Sequence, residues 1–187
     1  MIDLKTPESH PSFPPLETRK NEQTEEIFRC LFCEIGQEKN VAREIRNCDL
    51  GDPCYPQCVK PFRRNGVWSD EVFPLFPGYV FIRGNAPDQA FKRINHVIRL
   101  LRYDTGESAL YGTDLEFAKV LWREKGVIRR MEAVREGTFV RVTDPLLLDM
   151  RGTVLKVVSR RQIALVELAI SGQARRIWLG LNILEAT

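Results

Sequence analysis

Leu75-Phe76-Pro77-Gly78-Tyr79-Val80-Phe81-Ile82 is the stretch whose reading decides the fold. With Phe73-Pro74 ahead of it, the chain passes from a two-proline bend directly into a strand. Each proline fixes its own φ, removes a backbone donor and pushes its predecessor toward extended geometry. Gly78 permits a turn or a close backbone approach that a side chain would block. From Tyr79 the residue types read as β, with Tyr79 and Phe81 on one face and Val80 and Ile82 on the other. A strand apolar on both faces is either covered twice, or half covered and half presented to a partner.

Toward the N-terminus, residues 68–73 read as the return arm of a hairpin whose first arm is 58–63. Asn65-Gly66 supplies the favoured two-residue turn. Residues 27–33 form a strand-like run, Gly36 punctuates it, and 37–47 reads as a helix with Val41, Ala42 and Ile45 on one side. Residues 1–25 hold four of the eleven prolines and few apolar groups, so they are expected to be a disordered tail. Toward the C-terminus, Pro87 is placed at the first position of a short helix with Ala90, Phe91 and Ile94 as its apolar stripe. Residues 97–102 follow as a strand. Thr113-Asp114-Leu115-Glu116 reads as a capping box opening a helix to about Arg123 that buries Leu115, Ala118 and Trp122. This order predicts an α+β sandwich over residues 26–125, an antiparallel sheet flanked by helices.

Residues 126–135 change composition and are expected to be a linker. Beyond them, four short β-rich runs at 138–142, 152–158, 163–168 and 175–179 are separated by Asp144-Pro145, Arg160-Arg161-Gln162 and Ser171-Gly172-Gln173. That rhythm predicts a small, strongly bent β-barrel of the SH3-like kind over 136–187. The β-branched residues in 154–158 and 163–166 favour strands over a helical hairpin.

At 43% hydrophobic and 28% charged, the chain has ordinary globular composition. No apolar run approaches a membrane span and the start lacks a signal peptide's apolar segment, so a cytoplasmic, monomeric protein with no membrane contact is expected. The net charge of +3 is small, but residues 126–187 hold ten basic and six acidic side chains. The surplus favours a polyanion contact there, with Lys156, Arg160, Arg161, Arg175 and Arg176 at strand ends and turns as the candidates.

Enzymatic readings find no support in the residue pattern, and no catalytic residue, metal site or cofactor is assigned. Only His10 and His96 are present, and His96 reads as a surface or half-buried structural residue. Phosphate loops and Gly-x-Ser-x-Gly are absent. Cys30-x-x-Cys33 lies in a strand-like run, where residues three apart point to opposite faces, and Cys54 and Cys58 form a looser pair. All five cysteines, Cys48 included, are read as reduced thiols.

Leu75-Phe76-Pro77-Gly78-Tyr79-Val80-Phe81 resembles the signature of the N-terminal (NGN) domain of NusG-type transcription elongation factors. Val140-Arg141-Val142 leading to Arg151-Gly152-Thr153-Val154 is similar to a KOW motif, with Gly152 at its fixed glycine. The resemblance implies a non-enzymatic elongation or antitermination factor with an NGN-like α/β sandwich and a KOW barrel. It also implies a docking partner, the clamp helices of the largest RNA polymerase subunit. Phe76, Pro77, Gly78 and Tyr79 match the docking motif. The family's usual aromatic pair opening the first strand is Ile27-Phe28 here, so only Phe28 carries over. The barrel's partner is left open between nascent leader RNA and a ribosomal or termination protein. The Arg-rich loops point to a specialised paralogue of the LoaP type. A ribosome-associated KOW RNA-binding protein and a thiol redox protein stand as alternatives.

Overall fold

Tyr79–Arg83 pairs antiparallel with Phe28–Cys33 at the centre of the first sheet, in the register Phe32↔Tyr79 to Phe28↔Arg83. The computed structural model describes residues 26–170 and 173–185. In chain order these form β1 (Phe28–Cys33), α1 (Glu38–Asn47), β2 (Asp52–Cys54), β3 (Gln57–Arg64), β4 (Val67–Pro74), β5 (Tyr79–Arg83), β6 (Val97–Leu100) and α2 (Gly112–Arg123). Then come β7 (Val127–Ile128), β8 (Met131–Glu136), β9 (Phe139–Val142), α3 (Pro145–Asp149), β10 (Thr153–Val158), β11 (Ile163–Ile170) and β12 (Gln173–Glu185). Short 3-10 turns occupy Asp88–Arg93 and Ser159–Arg161. The expected tail at 1–25 and the Ser171-Gly172 turn lie outside the described residues.

The first sheet has the order β2-β5-β1-β6, and its strand pairs are antiparallel. The alternation read from β5 sorts its side chains into two cores. Val80 and Ile82, with Leu31 and Cys33 of β1, pack on Val41, Ala42 and Ile45 of α1 and on Phe91 and Ile94. Phe81, with Phe28 and Cys30, packs on Phe117, Ala118 and Leu121 of α2. The strand is covered twice, which explains why it is apolar on both faces.

Three local expectations change. Tyr111 caps α2 without a side-chain bond, so the Thr113–Glu116 box is not made. Glu116 instead reaches Arg151 at 2.7 Å, while Asp114 accepts from the Tyr103 hydroxyl at 2.7 Å. The buried stripe of α2 is accordingly Phe117, Ala118, Val120 and Leu121, with Leu115 and Trp122 half-buried. Pro87 sits one place before its turn, in extended geometry, and the turn is 3-10. Asp144-Pro145 opens α3: the Asp144 carboxylate accepts from the Leu146 N–H at 3.0 Å, with proline at the start of the helix.

The hairpin β3–β4 is as expected, with Asn65 (φ +51°) and Gly66 (φ +84°) supplying the two left-handed residues a type I′ turn requires. It leaves the first sheet, however, and forms a separate one with β7, in the order β4-β3-β7. The stretch expected as a linker, 126–135, is largely strand. β7 pairs parallel with β3, and β8 pairs parallel with β12 and antiparallel with β9. Its arginines drew the reading toward a connector, but Ile128, Met131 and Ala133 are fully buried.

The C-terminal sheet runs β10-β11-β12-β8-β9. β12 first pairs with β11 and then, from Leu181, with β8, which bends the sheet into a barrel-like, nearly closed form. Gly152 lies where a Cβ would come within 2.6 Å of Leu147 and 2.9 Å of Val166 and Leu168. The buried inner residues, Val166, Leu168, Ile177, Leu179 and Leu181, join Phe81 and Phe117 in one continuous core.

Candidate functional site

The Phe76–Tyr79 turn is built by its two central residues. Pro77 presets φ, Gly78 takes φ +85°, and the Tyr79 N–H donates to the Phe76 carbonyl at 3.2 Å, the pattern of a type II turn. A Cβ on Gly78 would lie 2.8 Å from the Phe32 ring and 3.0 Å from the Cys33 carbonyl oxygen. Its N–H donates to the buried Glu38 carboxylate at 2.6 Å, and its carbonyl accepts from the Cys33 N–H at 2.7 Å. Gly78 and Glu38 therefore position the turn. Pro77 is exposed at its tip, and Phe76 and Tyr79 are half-buried beside it.

Edge-on contacts knit the aromatic side chains together. Ring centroids lie 6.3 Å apart for Phe76 and Tyr79, 5.7 Å for Phe76 and Phe117, and 5.3 Å for Tyr79 and Phe32. The Arg99 guanidinium stands 5.9 Å from the Phe32 ring centre. Phe28 is not in this group. It is buried in the core against Trp122, at the opposite end of β1, four residues or about 13 Å along the strand. The antiparallel register puts Phe32 beside Tyr79, so the neighbour expected from the strand at 27–32 is Phe32 at its end and not Phe28 at its start. Its signal was the pairing of the end of one strand with the start of another, which composition alone does not reveal. On the far side, a cleft of about 460 Å³ runs from Phe76 and Tyr79 past Arg102 to Ile170 and Arg175 of the barrel.

Lys156, Arg160, Arg161, Arg175 and Arg176 are all exposed, but they do not form one cluster. Arg160 and Arg161 precede β11 at the end where Ile163 faces Gly180, whereas Arg175 and Arg176 face Leu168 and Glu167. The two pairs are separated by about 17 Å of strand. Arg176 is held by Glu167 at 3.0 Å, and Arg175 borders the Phe76–Tyr79 cleft. Arg160 and Arg161 face the β3–β4 hairpin.

Cys30 and Cys33 are buried on opposite sides of β1. Burial pushes the Cys30 thiol well above its ordinary value and, with Glu38 and Glu34 nearby, raises Cys33 to about 11. Cys54 is likewise pushed up to about 11 by burial and by Asp52. A redox thiol needs the thiolate at neutral pH, and this environment suppresses it. His96 is exposed and bonds Glu34 at 2.9 Å. No group of three or more potential metal ligands occurs among the described residues, and none of their helices is long and apolar enough to cross a membrane.

Residues 27–114 match the family described as NusG, transcription termination factor nusG. This span encloses the first sheet and the whole aromatic turn. Among solved structures, one of Thermotoga maritima NusG, titled for its domain interaction, shares 19% identity with a TM-score of 0.48. It covers 83% of this chain and 94% of its own. No curated protein sequence matches.

Proposed function

We propose that this chain is a non-catalytic transcription elongation or antitermination factor, specialised in the manner of LoaP-type paralogues. It docks on the clamp helices of the largest RNA polymerase subunit through Phe76, Pro77 and Tyr79. Gly78 holds the turn, Phe32 extends the aromatic surface, and Phe28 supports it from the core. The observation that carries this reading is the match over residues 27–114, which contains a half-exposed aromatic turn on a rigid, twice-covered strand. Rigid aromatic anchors in a shallow pocket suit an amphipathic partner helix. Docking shifts the polymerase toward whichever clamp state binds better, and a factor that prefers the closed clamp suppresses pausing. The units proposed are residues 26–125 for docking and 136–187 for recruitment, the latter through nascent leader RNA at the barrel's arginines.

The test is polymerase affinity of the full chain carrying Phe76→Ala or Tyr79→Ala, measured beside thermal stability. Each substitution should weaken binding by roughly 1–3 kcal/mol, as expected of an interface anchor. Phe76 also packs on Phe117, so stability separates the two roles. Lost stability with unchanged affinity per folded molecule would make both residues core and end the docking assignment.

A further inference from the structure

The β3–β4 hairpin carries aromatic side chains that the core does not take. Phe62 is 40% exposed and Trp68 48%, and Trp178 on the facing strand β12 is 37% exposed. All three line a cleft of about 550 Å³ between hairpin and barrel, together with Lys60, Arg63 and Arg161 and no carboxylate. An adjoining cleft of about 360 Å³ shares Pro61 and Trp68 with it and continues to Arg160. The single carboxylate there, Asp70, is engaged by Arg130 at 3.1 Å. Lys60, Arg160 and Arg161 have no carboxylate partner among the described residues. The Lys60 ammonium instead stands 4.5 Å from the centre of the Phe73 ring.

The floor of this groove is fixed by a close approach of backbones. Gly180 of β12 sits where a Cβ would fall on the Val59 carbonyl oxygen and lie 3.1 Å from the Lys60 Cα. The Cys58 thiol lies 3.9 Å from the Trp178 carbonyl oxygen. Hairpin and barrel thus form one surface, with the rings and cations side by side.

We infer that this groove binds single-stranded RNA, its bases stacking on Phe62, Trp68 and Trp178 and its phosphates tracked by Lys60, Arg63, Arg160 and Arg161. Exposed rings alternating with uncompensated cations are the chemistry that holds an unpaired strand, because every base offers a π-face and every nucleotide a charge. A duplex keeps its bases stacked on one another and cannot use the rings. Choosing RNA over DNA rests on the proposed reading of Arg160 and Arg161 as contacts to nascent RNA. The groove deepens that reading by adding the hairpin to the barrel.

Two of the chain's three tryptophans line the groove, so a Trp122→Phe background makes intrinsic fluorescence a local probe. The experiment titrates the full chain with an unpaired RNA of about twelve nucleotides, within the range one such groove spans. Its DNA counterpart and an RNA duplex form the other arms. Quenching by the single-stranded RNA is expected, with weaker response to both other arms. Trp68→Ala and Phe62→Ala should each lower affinity roughly 5- to 150-fold, the range for a lost stacking ring, and Trp68→Phe should restore most of it at unchanged thermal stability. If RNA binding is intact in both alanine variants but lost on replacing Arg175 and Arg176 with Ser, the groove is refuted while the barrel reading stands. If the unmodified chain binds no RNA at low salt, both fall. Tighter binding of DNA refutes the choice of RNA.

Discussion

Two aromatic groups on this molecule use similar residues in different company. Tyr79 meets Phe32 and Phe76 edge-on, and Phe76 packs on Phe117, beside strands buried from both sides. Phe62, Trp68 and Trp178 stand further into solvent, in a cleft lined also by Lys60, Arg63 and Arg161 and by no carboxylate. The first arrangement is a rigid apolar anchor, the kind that fits a protein helix. The second pairs each exposed ring with positive charge and so fits a polyanion with flat bases. Aromatic content alone does not distinguish the two; the neighbours do.

The largest effect separating these surfaces should come from Gly78→Ala. The new methyl group would require a left-handed alanine and would push on the Phe32 ring and the Cys33 carbonyl. Backbone strain and overpacking together should cost about 2–4 kcal/mol in denaturant unfolding. Because Phe32 moves first, polymerase docking should fail while RNA binding at the hairpin survives in the folded fraction.

A smaller effect concerns the barrel, away from both aromatic surfaces. Burial alone would raise the Asp144 pKa. The Arg129 guanidinium at 2.5 Å and the N–H groups of Glu132 and Leu146 outweigh burial and hold it below the ordinary value. A lowered folded pKa means the carboxylate stabilises the fold above its unfolded value near 3.9, and that contribution is lost as pH falls through the folded value. Asp144→Asn should therefore cost about 1–3 kcal/mol at neutral pH. The variant should also lose less stability than the parent on acidification below about pH 4. Equal acid sensitivity in both proteins would show that Asp144 does not link α3 to β8 in the way described.

The smallest effect is one of thiol reactivity. Cys48 is exposed, while Cys30, Cys33 and Cys58 are buried. A disulfide-exchange reagent at pH 8 should label Cys48 quickly and the buried thiols only as the structure opens. Cys58, under Trp178, reports opening of the hairpin from the barrel. Its labelling should slow when RNA occupies the groove and stay unchanged when the polymerase site is filled.

Much of this was legible in the sequence. The β5 alternation sorted correctly into two cores, Asn65-Gly66 made its hairpin turn, and Val41, Ala42 and Ile45 are the buried face of α1. What failed were features settled by distant partners. Glu116 was drawn to Arg151 and away from its cap. The arginines of 126–135 hid Ile128, Met131 and Ala133, which β3 and β12 recruit as strands. At the candidate site, Phe76 and Tyr79 were visible because their turn is local. Which residue of β1 meets Tyr79, and the meeting of Trp68 and Trp178 in one cleft, were not, since each depends on strands brought together across the fold. The two arginine pairs looked like one cluster only because sequence spacing does not encode the length of a strand between them.

The most direct test of the central claim crosses the two surfaces: polymerase affinity and single-stranded RNA affinity, each measured for the parent chain, Tyr79→Ala and Trp68→Ala. The account predicts a double separation, with Tyr79→Ala weakening polymerase and sparing RNA, and Trp68→Ala doing the reverse. Loss of both affinities in either variant at unchanged stability would contradict it, because the two aromatic groups would then be serving a single partner.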